Sequence, residues 1–143
     1  MERLHLFFRG TPPCSGKRRR VIWHDPCHLK NHGITEAPRN VLRVLPQADF
    51  AAAPGAELCC GLGGTFAVTQ PTLSRDIAAA KALALENACQ EHGADTVATA
   101  CPGCLLQLAD IIHQRQIPLR AVHSMTLVAE ALDAAGAERG HAA

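Results

Sequence analysis

Five cysteines fall in three clusters. Cys27 lies in His24-Asp25-Pro26-Cys27-His28, the pair Cys59-Cys60 runs into Gly61-Leu62-Gly63-Gly64-Thr65-Phe66, and the last two form Cys101-Pro102-Gly103-Cys104. The intervals are 31 residues (28–58) and then 40 (61–100). Thiols recurring beside proline or glycine ask for a common explanation, and a metal centre supplies one, because the thiolate is the species that binds iron or zinc. A structural zinc ion takes four ligands, and an ordinary cubane iron–sulfur cluster also uses four cysteines. Five thiols leave one spare, or indicate a cluster that is not an ordinary cubane; an iron–sulfur centre is the expected occupant.

Three other readings stay open. One is a zinc site. Another is a thioredoxin-like dithiol at Cys101 and Cys104, which leaves Cys27, Cys59 and Cys60 idle. The third is plain packing, since buried cysteines serve as small hydrophobes. Cys14 has no paired neighbour and Cys89 lies inside a helical pattern, so neither is read as a ligand. His24, His28, His32 and His123 fall near predicted strand ends and are read as hydrogen-bonding neighbours rather than ligands.

The backbone around the thiols has its own requirements. Successive strand residues point to opposite faces, so Cys59 and Cys60 need a turn or bulge to reach one centre. Gly61, Gly63 and Gly64 supply positive-φ backbone and let amide N–H groups approach an anionic cluster; they are candidate cofactor-binding residues. The same stretch lacks the third glycine of a dinucleotide fingerprint and the Gly-Lys-Ser/Thr of a P-loop. Pro102 suits a first helical position, which puts Cys101 at a helix N-terminus, where free amides and the macrodipole favour a thiolate.

The elements that must position these groups follow from periodicity and punctuation. Val21-Ile22-Trp23 reads as a buried strand stopped by Pro26. Pro38 to Leu45 reads as a helix closed by Pro46, with Ala48 to Ala53 and Glu57-Leu58 as weak strand candidates. Pro71 opens the longest helical pattern, ended by Gly93, with Leu73, Ile77, Ala80, Ala84 and Ala88 as its apolar stripe and Arg75, Asp76, Lys81 and Glu86 elsewhere. Thr96 to Thr99 reads as a strand running into Cys101. Leu105 to Ile112 marks a helix stopped before Pro118, Leu119 to Val122 a strand, and Leu127 to Leu132 a last helix. Strand and helix alternate about four times, so the expected fold is α/β with a small, mainly parallel sheet flanked by helices. Right-handed crossovers bring all strand C-termini to one edge, where open α/β sheets place their ligands. Each cysteine cluster follows a predicted strand, so the architecture itself gathers them at that rim.

Bulk properties exclude several classes. A chain of 143 residues is one domain by length, large enough for a core without disulfides. A net charge of +1 gives no global field for nucleic acid or an anionic membrane; only Lys17 to Arg20 is strongly basic. No apolar run reaches the ~20 residues of a membrane span, and the N-terminus does not read as a secretory signal. The chain is therefore expected to be cytoplasmic, where thiols stay reduced. Residues 1–20 read as a loose basic leader, 21–135 as the folded domain and 136–143 as a flexible tail.

From Val21 to Leu132 the chain resembles the cysteine-rich CCG domain found in heterodisulfide reductases, in the iron–sulfur subunit of glycolate oxidase and in lactate utilization proteins. The resemblance is carried by His24 to His28, Pro38-Arg39, Cys59 to Phe66, Ser74, Lys81, Gly93-Ala94-Asp95, Cys101 to Cys104 and Val122-His123. It implies a [4Fe–4S] cluster, non-cubane in some members and replaced by zinc in a few, with Cys27, Cys59, Cys60, Cys101 and Cys104 as ligands. It also implies an electron-transfer module of a glycolate- or lactate-oxidising complex, partnered by a flavin-containing dehydrogenase subunit and a ferredoxin-like iron–sulfur domain. Such a module has no membrane span and is membrane-peripheral at most through its complex. Heterodisulfide-reductase-like chemistry on a disulfide is the catalytic alternative, and a zinc-stabilised interaction domain the non-redox one. Relatives usually carry two such domains, often after a ferredoxin-like one; this chain resembles the final domain of a longer polypeptide.

Overall fold

Val21, Ile22 and Trp23 form the buried end of a strand whose residues alternate between two cores. In the computed structural model, which describes the backbone of residues 18–140 and the side chains of residues 18–136, this strand, β1 (Arg19–Trp23), lies near the middle of the sheet. The others are β2 (Ala48–Phe50), β3 (Thr96–Thr99) and β4 (Arg120–His123). The order is β2-β1-β3-β4 and every pairing is parallel, with Val21 opposite Phe50 on one side and Trp23 opposite Ala98 on the other.

Among the described residues six helices connect and cover the strands: α1 (Cys27–Asn31), α2 (Glu36–Val44), α3 (Phe66–Thr69), α4 (Pro71–His92), α5 (Pro102–Arg115) and α6 (Ser124–Gly140). Ile22 and Val97 point toward α4 and α5, packing with Ala78, Ala82, Leu85, Leu108 and Ile111. Val21, Trp23, Ala98 and Val122 point the other way, against Leu42, Leu45, Leu127 and Ala131 of the α2–α6 side. The result is three layers, helices on both faces of a parallel sheet, as strand–helix alternation requires.

The chain leaves β1 toward β2 in one direction and reaches β3 and β4 in the other. The reversal falls between the neighbouring strands β1 and β3. Crevices of open α/β sheets form beyond the strand C-termini at such a point.

Several expectations need correction. The buried face of α4 is Ser74, Ala78, Lys81, Ala82, Leu85 and Ala88; Ala88 belongs to the predicted stripe, the rest lie one position round from it, and Leu73 is exposed. Small side chains let the helix approach its neighbours closely, and that packing outweighs the larger apolar residues. Glu57-Leu58 is not a strand but part of the loop between β2 and α3, so Cys59 and Cys60 do not follow a strand directly. The first strand begins at Arg19 because the basic run is anchored: Arg18 Nη2 donates to the Ala48 carbonyl at 2.8 Å, Arg19 pairs with Glu130 at 2.6 Å, and Arg20 pairs with Asp49. Cys14 and most of the expected leader lie outside the described residues. No described helix is long and apolar enough to cross a membrane.

Candidate metal centre

Beyond Trp23 the chain continues His24-Asp25-Pro26-Cys27, and beyond Thr99 it continues Ala100-Cys101. These segments leave adjacent strands side by side, and the His24 amide still donates to the Ala98 carbonyl at 2.9 Å. Pro26 is the N-cap of α1 and Cys27 its first residue; Cys101 is the N-cap of α5, Pro102 its first residue, and Cys104 lies in its first turn. Cys101 therefore stands at the helix N-terminus expected from Pro102.

The Cys59-Cys60 loop has no regular structure of its own, so its carbonyls need outside donors. Asp25 N–H donates to the Ala56 carbonyl at 2.9 Å, and Lys30 Nζ to that of Glu57 at 2.8 Å. Lys81 Nζ donates to the Gly55 carbonyl at 2.8 Å, and Ser74 Oγ to that of Gly61 at 2.9 Å. The first cysteine segment and the long helix thus hold the cysteine pair in place. Gly61 has φ of +90°, and a Cβ there would stand 2.6 Å from the Ser74 carbonyl oxygen. Glycine is required for both conformation and space. At Gly103 a Cβ would meet Leu62 Cδ2 at 2.9 Å, so the glycine of Cys-Pro-Gly-Cys admits Leu62 against the first turn of α5.

All five sequence-predicted thiols line one cavity of about 390 Å³, with His24, Asp25, Lys30, Glu57, Leu62, Gly63, Gly64 and Gly103. Cys60 and Cys104 are buried at its floor, Cys101 is half-buried, and Cys27 and Cys59 are exposed at its rim. Gly61 does not line the cavity; its amide lies 3.4 Å from Cys59 Sγ. Cys89 packs against the core beneath α4.

The floor is the tightest part. One ring nitrogen of His24 and the sulfurs of Cys60 and Cys104 all lie within 4.8 Å of one another. His24 is 1% exposed; neither ring nitrogen has a well-oriented hydrogen-bond partner, and the side chains that act on it are Cys60, Lys81 and Asp25. Burial pushes His24 below its ordinary value, with Cys60 pulling the other way, so the ring is neutral and able to ligate or donate. The Cys104 thiol donates to Cys60, which holds Cys60 below the ordinary thiol range against the opposing effect of burial, with His24 and the Leu62 amide assisting. Cys104 is correspondingly pushed up. Two buried thiolates facing each other would repel, which a metal cation would compensate.

The donor set fits a metal centre: five thiols from three segments, an amide directed at a sulfur, and a buried imidazole without a well-made hydrogen bond. Sequence reasoning named His24 only as a neighbour, and it did not single out Asp25, Lys30 or Glu57. Asp25 accepts from Trp23 Nε1 at 2.7 Å and pairs with Arg39 at 2.5 Å, which fixes the floor from below. Asp25 and Arg39 were visible in the sequence, but nothing there showed that they pair.

A parallel α/β sandwich with a thiol-lined crevice at its switch point defines a cysteine-rich domain. The CCG family, described as a cysteine-rich domain, matches residues 21–109, and the chain belongs to that family. It is 31% identical over 105 residues to lactate utilization protein A of Lysinibacillus sphaericus, covering 73% of this chain and 44% of that protein. It is 34% identical over 116 residues to one of the subunits of the dihydromethanophenazine:CoB–CoM heterodisulfide reductase of Methanosarcina barkeri, covering 78% and 27%. To one of the subunits of the CoM/CoB fumarate reductase of Methanothermobacter marburgensis it is 31% identical over 96 residues, covering 66% and 19%. The chain spans less than half the length of these relatives. No solved structure matches it.

Proposed function

We propose that the chain is an iron–sulfur electron-transfer module of an oxidoreductase complex, with Cys27, Cys59, Cys60, Cys101 and Cys104 holding a [4Fe–4S] cluster, non-cubane if all five bind. The observation that carries this reading is the gathering of all five thiols around one cavity, from positions as far apart as 27 and 104. When bound, such a cluster accepts and returns single electrons. The chain's own contribution is to orient the thiols, to bring the Gly61 amide to a sulfur, and to leave the Cys27–Cys59 rim open to a partner. Relatives named for lactate utilization and heterodisulfide reduction support a complex acting on a 2-hydroxy acid such as lactate or glycolate, or on a disulfide. The proposed partners are a flavin-containing dehydrogenase subunit and a ferredoxin-like iron–sulfur domain, in the cytoplasm. Anaerobic purification followed by iron and sulfide analysis tests the reading: a brown protein with about four of each per chain is expected, and a colourless protein lacking both would overturn it.

A second reading has one observation in its favour. The close approach of His24, Cys60 and Cys104 is a three-ligand arrangement that suits a single zinc ion with one further thiol. One zinc and no iron per chain would select it.

A further inference from the structure

Lys81 lies outside the cavity lining and is 2% exposed. Its Nζ donates to the Gly55 carbonyl, which satisfies one of three N–H donors. Among the described residues no carboxylate comes within 4.0 Å of it. A buried ammonium without a counter-charge is costly, so its persistence in the core calls for an anion nearby.

The helix face it occupies shows where that anion lies. Ser74 bonds the Gly61 carbonyl, and the Ala78 amide nitrogen would lie 3.3 Å from a Cβ on Gly61. Lys81, on the same buried face one turn further, reaches the other end of the Cys59-Cys60 loop at Gly55. The ionisable groups whose charges act on it are Glu57, Cys60, Asp25 and Cys104. Asp25 is already paired with Arg39, and Glu57 is exposed. Between the two points at which Lys81 and Ser74 clasp the loop, Gly55 and Gly61, stand Cys59 and Cys60, which line the cavity.

We infer that Lys81 is the fixed counter-cation of an anionic metal–thiolate centre in the cavity, a positioning residue that stabilises the centre's negative charge from behind its wall. This rests on reading the cavity as a metal–thiolate site. Reduction adds one electron, and so one negative charge, to the centre; a cation held nearby stabilises the reduced form and raises the midpoint potential. The same cation destabilises the metal-free fold, where the buried ammonium has no carboxylate within 4.0 Å to meet it.

Three variants separate charge from tether: Lys81→Met keeps the stem, Lys81→Gln keeps a donor, and Lys81→Arg keeps the charge. In protein reconstituted with iron and sulfide, titration with dithionite is expected to place the K81M and K81Q midpoints below wild type and the K81R midpoint close to it. Metal-free K81M is expected to melt at or above the wild-type temperature, whereas loaded K81M gives up iron to a chelator faster. A lysine that only tethers Gly55 gives the reverse: metal-free K81M melts lower and the midpoints do not move, and that result overturns the inference alone. Wild-type protein that takes up neither iron nor sulfide overturns the metal–thiolate reading, and this inference with it.

Discussion

The Ser74 hydroxyl donates to the Gly61 carbonyl at 2.9 Å, fastening the long helix to the residue immediately after the cysteine pair. The contact is buried and admits no side chain on Gly61. Ser74→Ala leaves a buried acceptor unsatisfied, at a cost of about 1–3 kcal/mol. Gly61→Ala adds a left-handed backbone penalty of about 1–3 kcal/mol to a steric clash, so it is the more damaging change. Urea denaturation orders the two; an undisturbed Gly61→Ala protein would contradict the geometry.

Asp25 and Arg39 form a largely buried pair beneath the cavity. Arg39→Met strands a buried carboxylate that retains only the Trp23 indole donor, and a loss of about 3–5 kcal/mol is expected. The double change Asp25→Asn with Arg39→Met should recover part of this, because no charge is then left without its partner. Equal stability of the single and double variants would show that the pair is not coupled.

The cysteines divide by location. Cys60→Ser and Cys104→Ser remove floor sulfurs and are expected to lose most bound iron. Cys89→Ser changes a residue of α4 that packs against the core and should keep the wild-type iron content. Iron and sulfide assays per chain decide it, and a Cys60→Ser protein with full content would exclude that thiol as a ligand.

Lys81 also makes a prediction about pH. Burial lowers it from 10.5 to about 8, against the opposing pull of Glu57, Cys60, Asp25 and Cys104. Its folded value lies below its unfolded one, so between these limits the unfolded chain binds more protons and stability rises with pH. Below about pH 8 the charge costs the metal-free fold up to about 3 kcal/mol. Because the floor thiols titrate too, the quantity to measure is the wild-type stability minus that of Lys81→Met. That difference should climb from pH 8 toward 10.5; a flat difference would show that Lys81 is not held below its ordinary value.

Much of this fold is legible from proline and glycine. Pro71 and Gly93 bracket α4 as expected, Pro102 places Cys101 at a cap, and the Val21–Trp23 run is a buried strand. The convergence of Cys27, Cys101 and Cys104 follows from strand–helix alternation, because parallel strands share a C-terminal edge, whereas Cys59 and Cys60 reach them on an irregular loop. The buried face of α4 was legible only at Ala88: the face that packs is half alanine and includes a serine and a lysine, while Leu73 and Leu83 stay exposed. The irregular loop after β2 was also beyond periodicity, since its shape depends on donors from Asp25, Lys30, Ser74 and Lys81 that are distant in sequence. The short helices α1 and α3 have too few turns to leave a pattern.

Trp23 is the chain's only tryptophan, buried under the crevice and bonded through its indole to Asp25 at the cavity wall. Its emission therefore comes from one place, next to the thiols. An iron–sulfur chromophore absorbing in the near ultraviolet and visible would quench that light by energy transfer, so the protein carries an internal gauge of its own occupancy. Fluorescence should fall as iron and sulfide are added and return when a chelator strips them, with no label attached. A signal indifferent to both would mean that nothing coloured settles there.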